Sequence, residues 1–199
     1  MPEASSILLN AEGRILPIAY PLDEFYIQAS RRLPHIDAIP ANELPQPARS
    51  LLVHERDMTP TLAKFYGGPI RLEVLSRYER GDFYFREVLL FSGEDEIPVE
   101  FGAIKIDLAL LPPVARRAVL EEHLPFGQLL DEHKIKHSSK PKAYLRLFSD
   151  DFMNSVLCLA KPQILFGRRN TLFNDDQRSL AEIVEILPAR PAVSAETQL

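Results

Sequence analysis

The chain has 199 residues, 46% hydrophobic and 26% charged, with a net charge of -5. That length supports one domain with a full core that needs no disulfide or structural metal, and the mild acidity excludes the basic footprint of a nucleic-acid binder. A lone cysteine, Cys158, rules out an internal disulfide and a multi-cysteine zinc site; no run approaches the ~18 apolar residues of a membrane helix, and Met1 to Ser6 lacks the basic-then-apolar order of a secretory signal, so a cytoplasmic location is expected.

The 17 prolines cluster at 34–47, at Pro112-Pro113 and in the C-terminal segment, where they mark loops and element ends. A short helix is predicted over 22–32, followed by an irregular connection through Pro34, Pro40, Pro45 and Pro47. Leu51, Leu52, Met58, Leu62 and Phe65 recur at helical spacing, and Asp57 or Thr59 is placed to cap a helix with Pro60 in its first turn. Gly67-Gly68-Pro69 ends it. Strand-like runs follow over 70–78, 83–91 and 97–108, joined at Arg80-Gly81-Asp82 and Ser92-Gly93-Glu94-Asp95. Such short glycine-containing joints indicate antiparallel hairpins. Pro112-Pro113 opens a helix through Glu122, and a further helix is predicted over 124–132. Residues 133–142, polar and basic, read as a loop. A strand over 143–148, a helix over 150–159 and two strands over 163–173 and 179–187 complete a single domain spanning 1–188, with 189–199 as a disordered tail. Strands grouped in the middle and at the end, with helices before and between them, predict an α+β fold: one antiparallel β-sheet flanked by helices.

No Gly-rich phosphate loop, nucleophile elbow or His-Glu-x-x-His motif occurs. His35, His54, His123, His133 and His137 show no ligand spacing, so no metal is expected. The informative positions are charges inside apolar strands. Alternation puts Arg86 on one strand face with Tyr84, Val88 and Leu90. A buried guanidinium cannot shed its proton and needs an anion, either a neighbouring Glu or a ligand carboxylate. Arg168-Arg169 interrupts another apolar run, and one of two consecutive strand residues is expected to face outward. Glu182 and Glu185, three apart, take opposite faces, so at most one is expected in the core, protonated or paired with Arg. Lys105 shares a face with Val99, Phe101 and Ala103 and reads as a second buried cation or an edge lysine.

Five segments taken in order resemble the successive motifs of the chorismate lyase (chorismate pyruvate-lyase) family over about residues 48–188. They are Leu51-Leu52-Val53-His54-Glu55-Arg56-Asp57-Met58-Thr59, Phe85-Arg86-Glu87-Val88-Leu89-Leu90, Leu124-Pro125-Phe126-Gly127-Gln128-Leu129-Leu130, Leu165-Phe166-Gly167-Arg168-Arg169-Asn170-Thr171-Leu172 and Val184-Glu185-Ile186-Leu187-Pro188. The resemblance implies a ligand buried between sheet and helical flaps, and cofactor-free elimination of pyruvate from chorismate to leave 4-hydroxybenzoate. Arg86 would hold the ring carboxylate, and Glu185 would hydrogen-bond the ring oxygen or relay a proton. Met58, Phe126 and Gly127 would line the flaps, with Gly102, Lys105, Arg168 and Glu182 completing the binding set. One departure stands out: where the family's best-known branch carries a second ligand Arg shortly after a Gly, Gly102 is followed by Ala103, leaving Lys105 as the available substitute. The fold resemblance extends to effector-binding domains of bacterial repressors, although residues 1–47 contain no basic helix-turn-helix. A related lyase on another enolpyruvyl or aromatic acid, and a non-catalytic binder of small aromatic acids, are therefore the alternatives. The expected partners are chorismate and an aromatic acid product, with no nucleic acid and no membrane insertion.

Overall fold

A computed structural model of the chain describes residues 8–9, 15–93 and 96–189. The stretch read for a secretory signal and the tail from residue 190 onward lie outside them. The elements in order are β1 (Leu8–Leu9), β2 (Ile15–Leu16), α1 (Leu22–Gln28), β3 (Ile36–Ile39), α2 (Ala48–Leu52), α3 (Met58–Tyr66), β4 (Ile70–Arg80), β5 (Phe83–Ser92), β6 (Ile97–Asp107), α4 (Pro113–Glu121), α5 (Phe126–Glu132), β7 (His137–Phe148), α6 (Asp151–Val156), β8 (Ile164–Asn174) and β9 (Ser179–Leu187). β1 and β2 pair with each other, and the other strands form one antiparallel seven-stranded sheet in the order β3-β7-β8-β9-β6-β5-β4. None of the described helices is long and apolar enough to cross a membrane.

Local chemistry accounts for several boundaries. α3 stops at Gly67, whose φ of 74° is open to glycine at little steric cost, and α4 begins at Pro113, where the missing N–H would have no helical partner. The helix expected over 22–32 ends at Gln28, and the helical pattern of 48–66 resolves into α2 and α3. Two stretches of strand were hidden in the sequence. β3, bounded by Pro34 and Pro40, is an edge strand too brief to show alternation, and it pairs only with β7. The segment read as a loop is, from His137 onward, the first half of β7, which pairs with β8 and accommodates Pro141 at a register shift between Pro141 and Ala143.

Both faces of the sheet are covered. α1 and α6 pack Phe25, Tyr26 and Met153 against Phe85, Leu89 and Phe101 on one face. On the other, α2 and α3 press Leu52 and Leu62 onto Leu72, Val88 and Leu90, while α4 and α5 press Val119 and Leu129 onto Ile104 and Leu172. These helices are short and would not persist alone. Burial of an anchor such as Leu52 or Leu62, each 0% exposed, contributes ~1.5–3 kcal/mol and holds them down. Double coverage also corrects two expectations: Arg168 and Arg169 are both buried, and so are Glu182 and Glu185, because neither face of β8 or β9 looks onto solvent.

Candidate functional site

Arg86 sits in mid-β5, opposite Ile104 of β6 and Arg77 of β4, at the seam between the α2–α3 and α4–α5 layers. It is 2% exposed. Its Nη2 donates to the Leu124 carbonyl at 3.2 Å, whereas its buried Nε and Nη1 have no hydrogen-bond partner among the described residues. The salt bridge to an adjacent Glu is not made. Glu87 points to the opposite face and pairs with Arg31 at 3.2 Å, and Glu122 is bonded to the Tyr84 hydroxyl and to Arg77. Burial lowers the Arg86 guanidinium to about 10, partly offset by the negative potential of Tyr84 and Glu122. It is still a cation at neutral pH.

Arg86 opens into a cavity of about 60 Å³ whose walls include Met58, Leu72, Val88, Ile104, Phe126 and Leu172. A cavity of ~150 Å³ is known to take benzene, so a ring acid enters this one only as α3 and α5 part. These two helices carry Met58, Phe126 and Gly127, the residues expected to line the flaps. They meet at Gly127, where an added Cβ would lie 2.9 Å from Asp57 Oδ2. Asp57, immediately before α3, does not cap that helix through its side chain. It accepts instead from His137 Nε2 at 2.7 Å, while His137 Nδ1 donates to the Ile135 carbonyl at 2.9 Å. With both ring nitrogens hydrogen-bonded to acceptors, led by Asp57, the imidazole is held protonated up to about pH 9. Asp131 of α5 approaches the same pair, and the ligand atoms of Asp57, Asp131 and His137 lie within 4.8 Å of one another, close enough to hold a cation. The negative charge of these two carboxylates favours the protonated imidazole.

Beneath the cavity, Glu185 of β9 is 4% exposed and accepts from Arg168 Nε and Nη2. Arg168 is 0% exposed. Its remaining donors reach the carbonyls of His54 and Arg56, both at 3.1 Å, and so fasten to the sheet the chain that leads into α3. A second acid, Glu100 of β6, borders the same cavity and is buried. Burial, reinforced by the nearby Glu185 charge and opposed by Arg168, holds its carboxyl well above the usual range and so favours its protonated form.

The structure brings Arg86, Glu185, Met58, Phe126 and Gly127 to one cavity. Arg168 lies below it, committed to Glu185. Gly102 forms the strand crossing opposite Glu185, where a Cβ would be driven into the Val184 carbonyl. Two of the expected residues are not brought there. Lys105 pairs with Phe85, on the face away from Arg86, with its ammonium 3.7 Å from the centre of the Phe83 ring. Glu182 is also on that face, bound by Arg169 at 2.6 Å, Thr171 at 2.9 Å and Ser179 at 3.1 Å. Lys105 therefore does not stand in for the missing second Arg, and the Ala103 side chain packs in the core of the same far face. Sequence reasoning missed Glu100 and His137. Glu100 lies two residues before Gly102, on the face of β6 opposite the one read from Lys105, so its alternation with Gly102 was the available signal.

No protein-family model matches this chain, and no curated protein matches it in sequence. Among solved structures it is similar to PhnF from Mycobacterium smegmatis, with a TM-score of 0.52 at 12% identity over 86% of this chain and 94% of that one. It is also similar to the effector domain of PhnF from the same organism, with a TM-score of 0.51 at 11% identity over 67% of this chain and 89% of that one. Identities this low show the fold alone, and that fold, a seven-stranded antiparallel sheet with flanking helices, is chorismate lyase-like.

Proposed function

We propose that this chain binds a small, flat monocarboxylic acid, of which benzoate is the simplest example, in the Arg86 pocket and does not convert it chemically. The observation that carries this reading is the guanidinium of Arg86, buried at the end of an apolar cavity with Nε and Nη1 lacking partners. A carboxylate would satisfy both donors, at ~1.5–3 kcal/mol for each charge-assisted bond. The charge balance points the same way. Glu185 is paired with Arg168 and Asp57 with His137, burial favours the protonated form of Glu100, and Arg86 is left as a positive charge facing the cavity. Chorismate carries two carboxylates, and its second would lie near Glu185 with no free guanidinium to receive it. The neighbour described as an effector domain supports a binding role.

The lyase reading keeps one favourable observation, that Arg86 and Glu185 border the same cavity. One pair of experiments separates the two. Calorimetry with benzoate and 4-hydroxybenzoate is expected to show binding that is lost in Arg86→Met. Incubation with chorismate is expected to release no pyruvate. Steady pyruvate release would establish the lyase instead, and acid binding that is equal in wild type and Arg86→Met would remove the pocket assignment.

A further inference from the structure

Among the described residues, the acids buried as whole side chains are committed to partners, with one exception, and the partly buried Asp23 also leaves Oδ1 without a partner. Glu185 is bound by Arg168, Glu182 by Arg169 and Thr171, and Glu87 by Arg31. Glu100 is 5% exposed, and its Oε2 is buried without a hydrogen-bond partner among the described residues. A carboxyl serving only the fold would be expected to have that atom satisfied. Glu100 instead faces the cavity that Arg86 faces.

The sheet register places it at the other end of that cavity. Arg86 pairs with Ile104, Val88 with Gly102 and Leu90 with Glu100, so these positions share one face. Four residues of strand separate the Arg86 and Glu100 levels, roughly 13 Å of backbone at ~3.4 Å per residue. Both residues line the cavity, and Gly102, without a side chain, lies between their levels in the register. The charged groups near Glu100 are Glu185 from β9 and Arg168 from β8, and they are already paired with each other. In the protonated form that burial favours, Glu100 has an O–H to donate.

We propose that Glu100 is a ligand-recognition residue that hydrogen-bonds an uncharged oxygen of the bound acid at the end remote from Arg86. The site then prefers carboxylic acids bearing an ether, carbonyl or phenol oxygen about one ring's length from the carboxylate, over hydrocarbon acids of the same shape and over dicarboxylates. This rests on the reading of Arg86 as the carboxylate receptor. A second carboxylate at that end would meet the charge of Glu185.

The test compares 4-methoxybenzoate with its near-isostere 4-ethylbenzoate by calorimetry on wild type, Glu100→Gln and Glu100→Leu, each checked for cooperative unfolding. The ratio of the two affinities is expected to fall about fivefold or more in Glu100→Leu, which removes the donor, and to stay within about twofold of wild type in Glu100→Gln, which keeps one. If both acids bind and the ratio is the same in wild type and Glu100→Leu, the role of Glu100 is overturned while the Arg86 pocket stands. If neither acid binds wild type, both readings fall. A measurement that needs no variant completes the test: terephthalate is expected to bind wild type about tenfold or more weakly than 4-methoxybenzoate, and equal or tighter binding overturns the proposal even where Glu100→Leu does not fold.

Discussion

Replacing Arg86 by Met should stabilise the empty protein while destroying its binding site. Arg86 falls from an ordinary value of 12.5 to about 10 because burial disfavours the charged form. At ~1.4 kcal/mol for each pH unit, that change amounts to ~3 kcal/mol of destabilisation in the unliganded fold. Met has a similar length and no charge to desolvate. Against the gain stands the bond from Nη2 to the Leu124 carbonyl, worth ~1 kcal/mol, together with imperfect packing of the new side chain, so a net gain of ~1–2 kcal/mol is expected. For a chain of this length it corresponds to a rise in melting temperature of roughly 2–8 °C. The sign with pH follows from a base whose folded-state value lies below its unfolded-state value: the penalty is complete well below pH 10 and lifts only as pH rises through about 10. The difference between variant and wild type should therefore be flat from pH 6 to 8, as measured by urea unfolding. Benzoate should raise the melting temperature of wild type and leave that of Arg86→Met unchanged. A loss of stability of ~1 kcal/mol or more in Arg86→Met would refute the reasoning, since it would mean that the guanidinium has structural partners and is not held in reserve for a ligand.

Three further outcomes are expected. Arg168→Met alone should cost ~3–5 kcal/mol, because it strands the buried Glu185 carboxylate and releases the carbonyls of His54 and Arg56; urea unfolding of the double variant Arg168→Met/Glu185→Leu should recover most of that loss, and no recovery would count against charge stranding. His137 is raised from 6.5 to about 9, chiefly by its bond to Asp57, so its contribution is complete below pH ~6.5 and lost as pH rises through about 9. Relative to His137→Gln, wild type should be more stable by ~1–2 kcal/mol at pH 6, after allowance for solvent screening, with the gap closing by pH 10, and an NMR titration placing His137 near its ordinary value would dismiss the stabilising role of its bond to Asp57. Gly127→Ala puts a Cβ 2.9 Å from Asp57 Oδ2 and should lower stability by ~1–3 kcal/mol in thermal unfolding, whereas an unchanged melting temperature would show that the flaps do not meet there.

The antiparallel meander was legible because Ile70–Arg80, Phe83–Ser92 and Ile97–Asp107 are long apolar strands with short glycine-containing turns, and their pairing is local. β3 and the first half of β7 were not legible, since their strand character comes from pairing: Lys140 and Pro141 are strand residues because β8 lies beside them. Arg86 was visible as a charge on an apolar face, and alternation correctly grouped it with Tyr84, Val88 and Leu90. Alternation could not say whether a second layer covers the other face, so it allowed only one buried partner in each of Arg168-Arg169 and Glu182/Glu185, where the fold buries all four.

The sequence by itself determined the class of fold, the strand that carries Arg86 and the chemistry a guanidinium demands, because composition, period-two alternation and turn residues act over a few neighbouring positions. Only the tertiary structure decided what Arg86 faces. Whether a buried cation is satisfied depends on which side chains converge from β6, β8, β9, α3 and α5, and on whether Glu185 is already taken by Arg168. Those are distances between segments far apart in the chain, and they turn Arg86 from a candidate salt bridge into a cation with two donors left unpartnered among the described residues at the end of a cavity, with Glu100 at the other end.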